Sequence, residues 1–204
     1  MINNNTEYSS TPAIYTTELR NPDTNGAFYV TAHASSPSME LASFKLDIST
    51  SAGNFTIPQF GGDIILNGRE SKIIVTDFRM GNETLVYSTA EVLTVSIQDG
   101  LPLMFLWLPA GESGEFFLTG ASAGNILKRE GCSEVSFNQL HGGVIASYKQ
   151  LQGSCVITFD NNLRFVLLDR AAAYSTWVPS LSSDPSTPEN STGKSLESGT
   201  RVLA

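Results

Sequence analysis

Asp63-Ile64-Ile65-Leu66-Asn67-Gly68-Arg69-Glu70-Ser71-Lys72-Ile73-Ile74-Val75-Thr76-Asp77-Phe78 carries the strongest local signal in the chain. Ile64-Ile65-Leu66 runs into Asn67-Gly68, and Ile73-Ile74-Val75 follows after a few charged residues. Asn-Gly tolerates positive φ at both central positions of a tight turn, so the stretch reads as a β-hairpin.

The same grammar extends on both sides. Residues 13–19 and 27–33 alternate polar and apolar around the breaker Asn21-Pro22-Asp23-Thr24-Asn25-Gly26, which predicts two short strands and a turn. Residues 41–48 alternate with Leu41, Phe44, Leu46 and Ile48 as the apolar positions, and 49–54 reads as a loop. Phe55-Thr56-Ile57 stops at Pro58, and Gly81-Asn82 turns the chain into residues 85–87. Further strands are expected at 92–97, 103–108, 115–119, 143–151, 154–159 and 163–168. Asp99-Gly100, Gly111, residues 120–124 and Asp160-Asn161-Asn162 punctuate most of them. Short strands at this spacing suggest a sandwich of immunoglobulin-like type. One helix is predicted: Asp169 caps it, Ala171-Ala172-Ala173 favour it, and Trp177 before Val178-Pro179 ends it. The fold class is therefore all-β, antiparallel β-hairpins joined to an immunoglobulin-like β-sandwich subdomain, with one short C-terminal helix. Residues 1–12 read as a flexible lead-in, 13–90 as the hairpin part, 91–178 as the immunoglobulin-like part with the helix, and 179–204 as a Ser/Thr/Pro-rich linker or tail.

The chain has 204 residues, 41% hydrophobic and 16% charged, a globular composition. Its net charge of -8 repels phosphate backbones and anionic bilayers, so neither nucleic acid nor membrane is an expected partner. The longest apolar run, residues 101–109, is short of the roughly 20 residues a membrane helix needs and reads as a buried strand. The start, Met1-Ile2-Asn3-Asn4-Asn5, has no apolar region of signal-peptide type. Cys132 and Cys155 lie near the ends of predicted strands. A staple between them is geometrically open, but spacing alone does not decide between a disulfide and two thiols. No Cys/His cluster points to metal, and no cofactor is expected. Asn-x-Ser/Thr acceptors occur at Asn4, Asn54, Asn82 and Asn190, and they count only in a secreted protein.

Few residues carry patterns with chemistry. Gly120-Ala121-Ser122-Ala123-Gly124 has the form of a nucleophile elbow. Residues 125–131 are too few and too polar for the helix that must follow. His141 also precedes Asp160 and Asp169, the wrong chain order, so a glycine-rich loop is the better reading. Glycoside hydrolysis needs two carboxyl groups about 5 to 10 Å apart on opposite sides of a sugar. Glu112 and Glu115 bracket one loop and read as a solvated hairpin tip. Asp169 and Arg170 can pair, although capping accounts for Asp169. His33 and His141 stand alone and read as surface or hydrogen-bonded histidines. Trp107 and Trp177 can stack on sugars in principle, but their apolar settings favour core packing. No catalytic residue is assigned.

Longer stretches resemble fungal β-galactosidases of glycoside hydrolase family 35. Asn21-Pro22-Asp23 through Phe28-Tyr29-Val30-Thr31 is similar to the first hairpin of their second domain. Thr50-Ser51-Ala52-Gly53-Asn54-Phe55-Thr56-Ile57-Pro58-Gln59 with Gly61-Gly62 is similar to that domain's most recognisable segment. Leu66-Asn67-Gly68-Arg69-Glu70-Ser71-Lys72-Ile73, Leu85-Val86-Tyr87-Ser88-Thr89-Ala90-Glu91-Val92 and Leu167-Leu168-Asp169-Arg170 continue the likeness, which covers residues 13–185. Ala32-His33, Leu93-Thr94-Val95, the two cysteines and residues 195–204 depart from the family pattern. The resemblance implies a non-catalytic module of an enzyme that removes terminal β-galactosyl groups. In that family the acid/base and nucleophile glutamates sit on a (β/α)-barrel, and no residue here matches their motifs. The implied partners are that barrel and further β domains, and the implied parent is extracellular. The chain is then a fragment, inactive alone, with self-association through a bared docking surface as a consequence. The alternative is a free-standing carbohydrate-binding or interaction module.

Overall fold

The computed structural model describes residues 2–5, 8–98, 101–120, 126–132, 134–140 and 142–176. Its strands, in chain order, are β1 (Ile2–Asn5), β2 (Ile14–Arg20), β3 (Ala27–His33), β4 (Leu41–Phe44), β5 (Leu46–Thr50), β6 (Gly53–Ile57), β7 (Ile64–Asn67), β8 (Ser71–Met80) and β9 (Glu83–Ser88). They continue as β10 (Glu91–Gln98), β11 (Leu101–Trp107), β12 (Ser113–Thr119), β13 (Ile126–Glu130), β14 (Val135–Leu140), β15 (Gly143–Lys149), β16 (Ser154–Phe159) and β17 (Arg164–Leu168), before α1 (Arg170–Ser175). One eight-stranded sheet in the order β1-β2-β3-β8-β9-β12-β15-β14 forms the spine. A five-stranded sheet, β10-β11-β17-β16-β13, and two ribbons, β4-β7 and β5-β6, pack on it.

The spine is covered from two sides, and its side chains sort accordingly. Phe116, Leu118, Val144 and Ala146 enter a core shared with Met104, Leu106, Ile157 and Phe165 of the five-stranded sheet. Phe116 stacks on Phe165 with ring centroids 4.4 Å apart. Phe117 and Ile145, one residue along, enter the opposite core with Tyr29, Phe44, Leu46, Ile57, Leu66 and Ile74 beneath the ribbons. Adjacent residues on a strand point to opposite faces, so β12 and β15 are buried on both sides and read as continuous apolar runs rather than alternating ones. The spine runs across residue 90 in sequence, since β9 pairs with β8 before it and with β12 after it.

The all-β class, the β2–β3 hairpin and the capped terminal helix hold as expected. Asp169 accepts a hydrogen bond from the Ala172 N–H at 2.7 Å. The Asn67-Gly68 hairpin does not. Gly68 has φ of 62°, as the motif demands, yet β7 pairs with β4 while β8 pairs with β3 and β9. Leu66 and Ile74 enter the same core from opposite walls, so the two runs face each other across it instead of lying side by side. The Glu70 carboxylate accepts from Asn67 N–H at 3.0 Å and secures the change of sheet. The single strand expected over 41–48 also divides. Ser10 donates its N–H to the Lys45 carbonyl (2.9 Å) and accepts from Lys45 N–H through its hydroxyl (2.9 Å), so the chain passes from one ribbon to the other at that point.

Residues Ile2–Asn5, within the expected lead-in, are strand β1 on the edge of the spine. Strands β13 and β14 escaped the periodicity reading. Both are sheet edges with polar or charged residues among their apolar ones. Arg129 of β13 lies over the Phe137 ring of β14 at 5.5 Å and bridges the two sheets at that margin. Truncating Phe117→Ala removes a ring buried between spine and ribbons and is expected to cost about 3–5 kcal/mol. Because the spine is shared, circular dichroism and tryptophan fluorescence should still report one coincident urea transition; two separated transitions would show that the cores unfold independently.

Candidate functional site

Glu115 sits mid-strand on β12 and is fully buried. Its carboxylate accepts hydrogen bonds from Gln59 N–H (2.7 Å), Phe60 N–H (2.8 Å), the Tyr87 hydroxyl (2.7 Å) and the Ser147 hydroxyl (3.3 Å). A buried carboxylate is tolerated only when its oxygens are saturated in this way. Burial and then the Glu115 charge push the Tyr87 phenol up, so it stays a donor. Gly62 lets the clasped loop sit close: at φ 65°, an added Cβ would meet the Ser113 Cβ at 2.6 Å. The solvated tip expected for Glu112 and Glu115 is therefore corrected. The loop's first residues turn inward because the ribbon β5–β6 and its following segment lie on top of them.

Glu112 belongs to a second group of charges. It pairs with Lys72 at 2.5 Å, and the Lys72 side chain is 4% exposed. Nearby, Glu91 accepts from Ile73 N–H at 3.1 Å, and Arg170 pairs with Glu70 while its guanidinium lies over the Trp107 ring at 5.9 Å. Burial works against the Glu70 charge, but the Arg170 hydrogen bond and charge prevail and hold its carboxyl below the ordinary value. Burial holds the Glu91 carboxyl above the ordinary value despite the hydrogen bond from Ile73. This seam joins the β7–β8 turn, the start of β10 and the first turn of α1. A third carboxylate, Asp77, at φ of 52° in the irregular stretch of β8, accepts from Ser51 N–H, the Ser51 hydroxyl (2.6 Å) and the Asn25 amide (3.0 Å), tying the β5–β6 turn to the spine. Sequence reading missed this residue, because Asn25 and Ser51 lie in turns far from β8 in sequence and only the fold brings them to Asp77.

The remaining candidates scatter. His33 ends β3 and lines an open cavity of about 470 Å³ with Ser35, Ser38 and Glu40, its Nε2 buried without a hydrogen-bond partner. Trp107 is half-buried under Arg170, a role between core and open platform. Asp169 also accepts from Gly153 N–H at 3.0 Å. Cys132 and Cys155 are joined by a disulfide that ties the end of β13 to β16. Asn54 and Asn82 are exposed. Ser122, His141, Trp177, Asn190 and residues 179–204 lie outside the described residues, as does the side chain of Asn4. Among the described residues no group of three or more His, Cys, Asp or Glu is placed to hold a metal ion, and no helix is long and apolar enough to cross a membrane.

The model of the family "Beta-galactosidase, domain 2" matches residues 1–175. The chain belongs to this family. It is similar to a protein named probable beta-galactosidase B from Emericella nidulans, 50% identical over 188 residues, which are 92% of this chain and 18% of the relative. The homonymous protein of Talaromyces marneffei is 50% identical over 198 residues, 93% of this chain and 20% of the relative. That of Penicillium rubens is 48% identical over 189 residues, 93% and 19% respectively. This β-galactosidase domain thus spans about a fifth of the length of the relatives it matches.

Two outcomes follow from the carboxylates. Glu115→Gln replaces two acceptor oxygens by one and turns an amide N–H toward a backbone donor; urea unfolding should show a loss of about 2–3 kcal/mol. For Glu91, whose value is raised in the fold, the stabilisation is complete below the ordinary carboxyl value and is lost as pH rises through the raised one. Glu91→Gln keeps an acceptor for Ile73, so its urea midpoint should rise relative to wild type as pH increases from the ordinary carboxyl value through the raised one. A constant difference across that range would contradict the raised value.

Proposed function

We propose that this chain is a non-catalytic support domain of a β-galactosidase acting on terminal β-D-galactosyl residues. In this reading it packs against a (β/α)-barrel of glycoside hydrolase family 35 type, which carries the catalytic carboxylates, and against further β domains. The observation that carries the reading is the family match over nearly the whole described chain in relatives about five times as long. The internal acids support it. Glu115 and Glu112 spend their oxygens on the loop after β6 and on Lys72, and a general acid or nucleophile must face the substrate instead. Purified alone, the chain is expected to leave a chromogenic β-galactoside unhydrolysed; turnover that survives repurification would overturn the reading.

A second reading, a carbohydrate-binding module, has one observation in its favour. Phe60 is 47% exposed beside a shallow groove with Ser113, Ser136 and Ser147. Calorimetric titration with lactose decides between them: no heat of binding is expected for a support domain, and saturable binding lost in Phe60→Ala would favour the module. The parent is read as extracellular, which the Cys132–Cys155 disulfide and the exposed acceptors Asn54 and Asn82 suit. Expression through a fungal secretory route should add endoglycosidase-sensitive mass that Asn54→Gln and Asn82→Gln each reduce. Alone, the chain should self-associate with rising concentration in sedimentation, since a surface that the parent covers is bared; a monomer at all concentrations would count against that.

A further inference from the structure

The five-stranded sheet covers only part of one face of the spine. That same face continues over β2, β3 and β8, and there no sheet among the described residues lies on it. Cross-strand register aligns Leu19 with Phe28 and Phe28 with Val75, then Thr17 with Val30 and Val30 with Ile73. Directly opposed residues share a face, so these side chains form adjacent rows. Phe28 is 48% exposed, Ile73 44%, Tyr15 39% and Leu19 38%. Their immediate neighbours Ile14, Tyr29 and Ile74 are fully buried on the other face, against the ribbons. No outward position within residues 15–19, 28–32 or 71–75 is charged, in a chain with 12 basic and 20 acidic side chains. A sheet face open to water is ordinarily polar or charged; here Thr17 and Ser71 are the polar positions among mostly apolar ones.

We infer that the outer face of β2-β3-β8 is a docking surface, and that its occupant is another domain of the same polypeptide, an inference that rests on the support role proposed above. The size of the face selects the occupant. Three strands about 4.8 Å apart and three rows deep present on the order of 300 Å². A free partner needs about 800 Å² per side to form a stable complex. A tethered domain does not, because the linker supplies an effective concentration in the millimolar range. Such chain lies outside this segment in the relatives, where the match covers about a fifth of their length. A second copy of this chain has to meet the face untethered and lose its translational freedom, so self-association through it is weak and shows only at high concentration.

The test embeds this chain in the Emericella nidulans relative in place of the segment it matches, and compares the full-length product with the chain alone by hydroxyl-radical footprinting. Labelling of Tyr15, Leu19, Phe28 and Ile73 should fall severalfold in the full-length protein, while exposed Met39 and Ile97, away from the face, keep their reactivity. The double substitution Phe28→Lys with Ile73→Lys should leave the melting temperature of the isolated chain unchanged and lower that of the full-length protein. An active full-length protein in which Phe28 and Ile73 stay as reactive as in the isolated chain overturns the docking face alone. A folded but inactive one overturns the support role. Protection that appears in the isolated chain with rising concentration, and grows no further in the full-length protein, makes a second copy the occupant and overturns the inference.

Discussion

The carboxylate of Glu115 is the point at which the layers of this fold are held in register. It stands on β12, the strand whose two faces are Phe116 against the five-stranded sheet and Phe117 against the ribbons. Apolar packing fixes how close the layers come, but it is non-directional and tolerates sliding. Two backbone N–H groups and two hydroxyls aimed at one anion do not tolerate sliding. Burying such a polar group without partners is costly, and the four donors satisfy its oxygens in place. The segment after β6, with Gly62 against Ser113, therefore has one position on the spine.

The seam of Glu70, Lys72, Glu91, Glu112 and Arg170 repeats the device at a second junction. Asp77 repeats it at a third. In each case an acid from a turn or an irregular stretch of strand gathers donors from a different layer. The acids of this domain that are best placed by the fold are thereby committed to one another's loops. Such ion pairs contribute little as surface features, but breaking a buried one strands a charge, so they specify arrangement more than they add stability.

Local chemistry made the strand content readable: alternation in residues 14–20 and 27–33, the stop before Pro58 and the Asp169 cap each act within a few residues. The pairing partners of those strands were not equally readable. Asn67-Gly68 turns the chain, with positive φ at Gly68 only, in a sequence whose flanking runs belong to different sheets, and nothing local distinguishes a turn within a sheet from one between sheets. The edge strands β13 and β14 were hidden because an edge has only one neighbour to satisfy and admits lysine, arginine and asparagine. The burial of Glu115 was hidden for a related reason. A carboxylate between glycine and phenylalanine reads as a turn residue until the covering loop, 55 residues away in sequence, is in place.

This distribution of polarity has a direct bearing on what the domain contributes. A catalytic module keeps some acids under-satisfied and open, because a proton donor or nucleophile must lose a partner to gain a substrate. Here the polarity is inverted. Acids are satisfied in the interior joints, whereas the open face of β2-β3-β8 is apolar and free of charge. Water is a poor long-term neighbour for such a face, and the same sheet shows the remedy a few strands along, where the five-stranded sheet covers it. On the side of the five-stranded sheet, the spine is finished for only part of its length. The unfinished part has the regular cross-strand rows that a second protein layer can cover, and a relative about five times as long carries further chain beyond the matched segment.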